Sequence, residues 1–354
     1  MAVTMMSRPR KGKPGPSDDF VHFKPGPKHS GDPGMEKHLL LARKGDLAGV
    51  KRLLQKDPAL LNAKSAGHNR TLLWEATRMN RTKLVEYLVE QGADLNIPGR
   101  HRHESLVLVK PYAVARTFRR DRLAEYLLQA GTEIDLYTAC YLGDNAGVVE
   151  LLKAKPALVN REQPEESVWF VTPLHHALSG GHKDIAERLL CHGAKVKPYS
   201  ELLLDIVLRR GRTDLLELLF KHGASARSMG GADLPLESRA LTELLLKHGA
   251  DVHKRAWGDW PPVAYVARGD KGEHPEKVKT LLDFGADVHA CNPRGVTAMH
   301  AAAKAGFVSV LRLLLDCGAD INAKMKDGST PLALALKAKR KGAADFLIKH
   351  GGRR

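Results

Sequence analysis

The feature that most constrains this chain is a recurring pair of large apolar residues. Ten pairs of a leucine followed by a second large apolar residue, one for each second helix, run from Leu53-Leu54 to Leu347-Ile348 at a mean spacing of about 33 residues. The second members are Leu54, Val89, Leu128, Leu152, Leu190, Phe220, Leu246, Leu282, Leu315 and Ile348. The clearest copy of the repeating unit is residues 292–324, and each of its parts has a mechanical reason. Thr297 offers a hydroxyl to cap a helix. Met299, Ala302 and Ala303 then give that helix a small apolar stripe, and Gly306 ends it. Val308, Leu311, Leu314 and Leu315 follow at helical spacing. Gly318 stands where a left-handed C-terminal cap is wanted. A helix pair this short cannot bury its apolar face alone, so the unit demands neighbours of its own kind.

The same punctuation marks other copies. Thr172-Pro173-Leu174-His175, Thr297-Ala298-Met299-His300 and Thr330-Pro331-Leu332 open first helices. Gly-Ala-Asp closes units at Gly92, Gly249, Gly285 and Gly318, and Gly-Ala alone does so at Gly193 and Gly223. In these motifs the chain resembles the ankyrin repeat family. The resemblance implies an all-α, ankyrin-repeat solenoid of stacked helix–turn–helix units with short hairpin fingers. It also implies structural roles for Thr172, Pro173, His175, Thr297, His300, Gly193, Gly285 and Gly318, with both histidines tying neighbouring loops together. Partners of the family dock on the concave face, which is lined by the ends of the first helices and by the fingers. The expected organisation is a disordered, basic tail over residues 1–34, with six prolines and five glycines, then about ten repeats over 35–354.

Several units depart from the pattern. The second has Thr71-Leu72-Leu73-Trp74 where the others have a Thr-Pro-Leu-His entry. Between the third and fourth only Thr132 and Glu133 follow Gly131, too few for a finger, whereas residues 160–171 before the fifth form a long loop. The seventh has RSMGGADLPLES in place of a first helix, so an irregular or shortened element is expected there.

Composition narrows the function. The net charge is +16 and uneven: residues 337–354 carry seven basic side chains against one acidic, and residues 100–122 carry seven against two. That is a located basic surface. Residues 1–30 lack the apolar core of a signal peptide, and no apolar run reaches the length of a membrane span. The expectation is an intracellular, cytoplasmic protein with no membrane insertion, with a nuclear alternative resting on the basic run Arg8-Pro9-Arg10-Lys11-Gly12-Lys13. Cys140, Cys191, Cys291 and Cys317 lack paired spacing, and Cys140, Cys191 and Cys317 read as buried free thiols within helices or at their ends. His101-x-His103 with Glu104 is too small a set to close a metal site. No nucleophile motif, zinc-binding helix or phosphate-cradling glycine loop appears. The reading is a non-enzyme with no cofactor and no metal.

Candidate binding residues lie on the groove side. The position two before each inter-helix glycine or its equivalent holds Arg43, Arg78, Thr117, Tyr141, Ser179, Arg209, Arg268, Lys304 and Lys337, six of them basic. This row predicts a groove for an acidic or phosphorylated protein. Solvated helix ends carrying lysine or arginine are the plainer account. At units three to five the row is interrupted by Phe118, Tyr141 and Leu142, joined on the adjoining finger by Trp169 and Phe170. In a chain with 5% aromatics these five are hot-spot candidates, or else core residues filling the gap left by the missing finger. Polyanion or nucleic-acid binding through the basic tail and the basic repeat ends is the alternative function.

Overall fold

A computed structural model describes residues 33–354, apart from 67, 101–106, 164–170, 257 and 270–271. The expected tail, residues 1–34, lies outside the described residues but for Pro33 and Gly34, which open the first helix. Helix pairs follow one another along the chain. Unit one is α1 (Pro33–Lys44) and α2 (Leu47–Lys56); unit two is α3 (Leu72–Arg78) and α4 (Thr82–Glu90). Unit three is α5 (Pro111–Thr117) and α6 (Asp121–Gln129), and unit four is α7 (Leu136–Leu142) and α8 (Asn145–Ala154). Unit five is α9 (Pro173–Gly180) and α10 (Lys183–Cys191); unit six is α11 (Ser200–Arg209) and α12 (Thr213–Lys221). Unit seven keeps only α13 (Arg239–Lys247), its first helix reduced to a 3-10 turn at Gly231–Asp233. Gly230, Gly231 and Pro235 leave that segment little helical preference. Units eight to ten are α14 (Pro262–Arg268) with α15 (Pro275–Asp283), α16 (Ala298–Ala305) with α17 (Val308–Asp316), and α18 (Pro331–Lys337) with α19 (Lys341–Lys349).

First helices are flanked by neighbours on both sides, which is why their small residues matter. Ala298 through Ala303 of α16 are all buried, as are Pro173 through Leu178 of α9. Second helices bury one stripe, such as Val310, Leu311 and Leu314 of α17. Between the two helices of a unit the chain turns through a left-handed residue. Glycine serves at Gly143, Gly181 and Gly306, whereas Arg119 (φ 53°) and Lys339 (φ 57°) hold that conformation without glycine's freedom.

Among the described residues the core falls into three clusters. One buried cluster runs from Leu136 to Leu347, and a second from Leu39 to Leu127. A third, made of Trp74, Val107, Val109, Ala113, Val114 and Val171, joins them. Its finger residues explain how. The finger of unit three is a two-stranded antiparallel hairpin, β1 (Gly99–Arg100) with β2 (Leu108–Val109), in which Gly99 faces Val109. The missing finger at Thr132–Glu133 is bridged from the far side, where Gln163 Nε2 donates to the Leu108 carbonyl at 3.4 Å and Val171 joins Val107 and Val109.

Candidate functional site

Threonine caps and their histidines set the finger positions. In unit nine the Thr297 amide donates to His300 Nδ1 at 3.3 Å, which leaves the proton on Nε2, and Nε2 lies 3.1 Å from the Ser329 carbonyl of the next finger. Trp74 does the same work in unit two: its indole Nε1 donates to the Val109 carbonyl at 2.8 Å. Val109 and Ser329 occupy the same place, ten residues before the left-handed turns at Arg119 and Lys339. His175 breaks the series. Its Nδ1 accepts from the Thr172 amide at 3.0 Å, but its buried Nε2 has no hydrogen-bond partner. The equivalent residue, ten before Gly211, is Glu201, which lies inside α11, so no loop carbonyl is presented. His175 therefore caps its own helix without tying two loops, contrary to the expectation for it. Burial pushes His175 down to about 3 and His176 down to about 4.

A second set of ties was not anticipated from the sequence. The residue after the left-handed turn reaches back to the carbonyl end of the preceding unit's first helix. Arg81 Nε donates to the Arg43 carbonyl at 2.9 Å, and Arg120 Nη1 donates to the carbonyls of Thr77 and Arg78. His182 Nε2 lies 3.1 Å from the Tyr141 carbonyl. Arg212 Nη1 reaches Gly181 at 3.4 Å, and Arg340 Nε reaches Lys304 at 3.3 Å. Cations suit these carbonyl ends because the helix dipole is negative there. In unit four the position is Asp144, whose carboxylate instead accepts from Gly147 N of its own helix at 2.9 Å. That is also the place where the two large core clusters separate. An Arg or His stands directly ahead of the second helix in units two, three, five, six, eight and ten, but Asp46, Asp144, Ser238 and Phe307 stand there in the others, so the position alone does not mark the tie.

The basic row falls in the last turns of first helices, but its members differ in what they meet. Arg43 and Arg78 both turn onto Glu75, at 3.0 Å and 2.8 Å, and Arg70 joins them at 3.0 Å. Glu75 is fully buried. Burial alone would raise its pKa, yet the arginines outweigh that and hold the carboxyl below its usual range. Arg209 pairs with Asp205 at 2.8 Å. Arg268 stacks on Trp260 and Tyr265, with centroid distances of 5.4 Å and 4.9 Å. Lys304 and Lys337 are exposed at the ends of α16 and α18.

The aromatic candidates divide. Phe118 is 41% exposed, with the Arg120 guanidinium 5.0 Å from its ring centre. Tyr141 and Leu142 are half-buried and pack against the third core cluster, and the Tyr141 ring stands edge-on to His176 at 6.5 Å. Their contacts support the gap-filling account. Trp169 and Phe170 lie outside the described residues, as do His101, His103 and Glu104. No group of three or more metal-ligating side chains gathers among the described residues. No helix among them is long and apolar enough to cross a membrane. Cys140 is buried, which pushes its thiol up, whereas Cys191 and Cys317 are exposed, so the expectation of buried thiols holds at Cys140 only. Both sit at the outer ends of second helices, where the stack leaves them uncovered.

Stacked helix pairs with linked fingers and a row of first-helix ends define a repeat solenoid whose business is binding. The family described as ankyrin repeats in three copies matches residues 136–229 and 263–353, and a single ankyrin repeat matches residues 68–100. The chain belongs to the ankyrin repeat family. It is similar to "Ankyrin repeat protein nuc-2" of Neurospora crassa, at 29% identity over 176 residues. That match covers 46% of this chain and 16% of the relative, so the chain spans a small part of the relative's length. Ankyrin repeats generally mediate protein–protein interactions, and the family is typically non-catalytic.

Proposed function

We propose that this protein is a non-catalytic scaffold or adaptor that holds a protein partner through the concave side of its stack and prefers acidic partners. The observation that supports the reading most is the placement of the basic row. Arg43, Arg78, Arg209, Arg268, Lys304 and Lys337 each lie in the last turn of a first helix, so units one, two, six and eight to ten each place a cation at the same position of the repeat. Arg268, held between two rings, is a rigid cation–π anchor of the kind interfaces favour. Arg209 contributes less, because Asp205 already answers its charge.

The test is a pull-down with the intact chain beside one lacking residues 1–34. Equal capture by both, weakening as salt rises, is the expected result; capture lost with the tail, or indifferent to salt, would count against the groove. The alternative is polyanion or nucleic-acid binding. Its support is the cationic surface at the last unit, where Lys337, Lys339, Arg340 and Lys341 are all exposed. Tight retention on generic DNA with a steep salt slope would favour that alternative.

A further inference from the structure

Units one to three hold more positive charge than any carboxylate there answers. Three guanidinium groups surround the fully buried Glu75, and the fourth, Arg120, lies on the carbonyl end of the same helix, α3. Among the described residues Arg43 and Arg78 make ion pairs with Glu75 alone, and Arg120 makes none. Three cations thus converge on one anion, and a fourth lies at the end of the same helix. Partly desolvated charge of one sign is unfavourable until a counter-charge arrives. Burial, and next the Arg78 charge, pull the pKa of Arg120 down, which places the two guanidinium groups near each other.

Geometry narrows the anion. Glu75 takes Nε and Nη2 of Arg43 and Nε of Arg78, which fixes both forks and leaves Nη1 of Arg43 and both Nη atoms of Arg78 on side chains that are 32% and 25% exposed. Several fixed guanidinium donors suit an anion with two charges and three acceptor oxygens better than a second carboxylate. Beside them Phe118 offers an exposed ring, suited to an apolar side chain next to the anion. A nucleic-acid backbone would need the cations to continue, but the next groove positions are Thr117, Tyr141 and Ser179. Resting on the reading of this side as a protein-binding face, we propose that Arg43 and Arg78, oriented by Glu75, and Arg120, held by the carbonyl end of α3, form the subsite for a phosphorylated serine or threonine of the partner.

The probes are three blocked peptides, alanine-X-leucine with X as phosphoserine, glutamate or serine, and a single-stranded DNA oligonucleotide. The readout is the arginine Nε–H resonances of the full chain. The phosphoserine peptide is expected to shift the resonances of Arg43, Arg78 and Arg120 first and to bind at least tenfold tighter than the glutamate peptide. Arg78→Lys keeps the charge and the pairing to Glu75 but loses the fork. It should lower phosphopeptide affinity about tenfold at an unchanged melting temperature, and leave the glutamate peptide within twofold. Equal binding of the phosphoserine and glutamate peptides would remove the phosphate subsite and leave the acidic-partner reading standing. Shifts spread evenly over the basic surface, or a stronger response to the oligonucleotide, would overturn the subsite. No response to any peptide would overturn it as well.

Discussion

At the residue scale the account turns on buried polar groups. Glu75 is the clearest: removing its charge leaves the arginines around it without a counter-ion, so Glu75→Gln should destabilise the fold by about 3 kcal/mol in a urea titration. Its folded pKa lies below the ordinary 4.5, so its contribution is complete above that pH and disappears as pH falls through the lower folded value. The stability gap between parent and Glu75→Gln should therefore be flat at neutral pH and close in acid. A gap that is constant to pH 3 would contradict the pairing. His175 and His176 act in a higher window. The unfolded chain protonates them near 6.5, whereas the fold refuses the proton until about 3 and 4. Each should cost roughly 1.4 kcal/mol per pH unit as pH falls below 6.5. His176→Gln should flatten that slope, and an unchanged slope would show that the histidine is not held neutral.

At the element scale the turns and ties carry the specificity of stacking. Arg119 holds a left-handed conformation that glycine adopts freely, so Arg119→Gly should raise stability by about 1 kcal/mol in chemical unfolding. A loss of stability would mean that the arginine side chain itself holds the turn. Trp74→Phe removes one buried hydrogen bond between neighbouring fingers and should cost about 1–2 kcal/mol, with Trp74→His recovering part of it. These elements also show what the sequence could convey. The paired leucines and the threonine caps report a local, periodic requirement, so the helices were legible from spacing alone. The reach-back arginines and the linked fingers depend on atoms about thirty or more residues apart, and nothing local distinguishes Arg120 from any exposed cation. The groove side was readable as a row of positions, but not that Arg43 and Arg78 would meet on Glu75. Tyr141 and Leu142 could be read from sequence either as hot-spot residues or as gap-filling core, because the contacts that decide, with Val171 and His176, lie about thirty or more residues away.

At the scale of the whole molecule the chain is two stacked blocks, units one to three and units four to ten, joined by the cluster around Val109 and Val171. Repeats contact only their neighbours, so cooperativity passes through that joint. Hydrogen exchange should show units one to three losing protection first, since their core cluster is the smaller, and Val171→Ala should separate the two blocks further. A groove running across both blocks asks a partner to engage each of them. The most direct test removes charge on that row in both blocks at once, with Arg78 changed to glutamine, which leaves Arg43 and Arg70 on Glu75, and Arg268, Lys304 and Lys337 each changed to glutamate. The parent and the variant are compared for capture of partner protein from a cell extract across a range of salt. The account predicts that the variant stays folded by circular dichroism, that the parent captures a protein released as salt rises, and that the variant does not. Capture by the folded variant equal to the parent's, at every salt concentration, would contradict it.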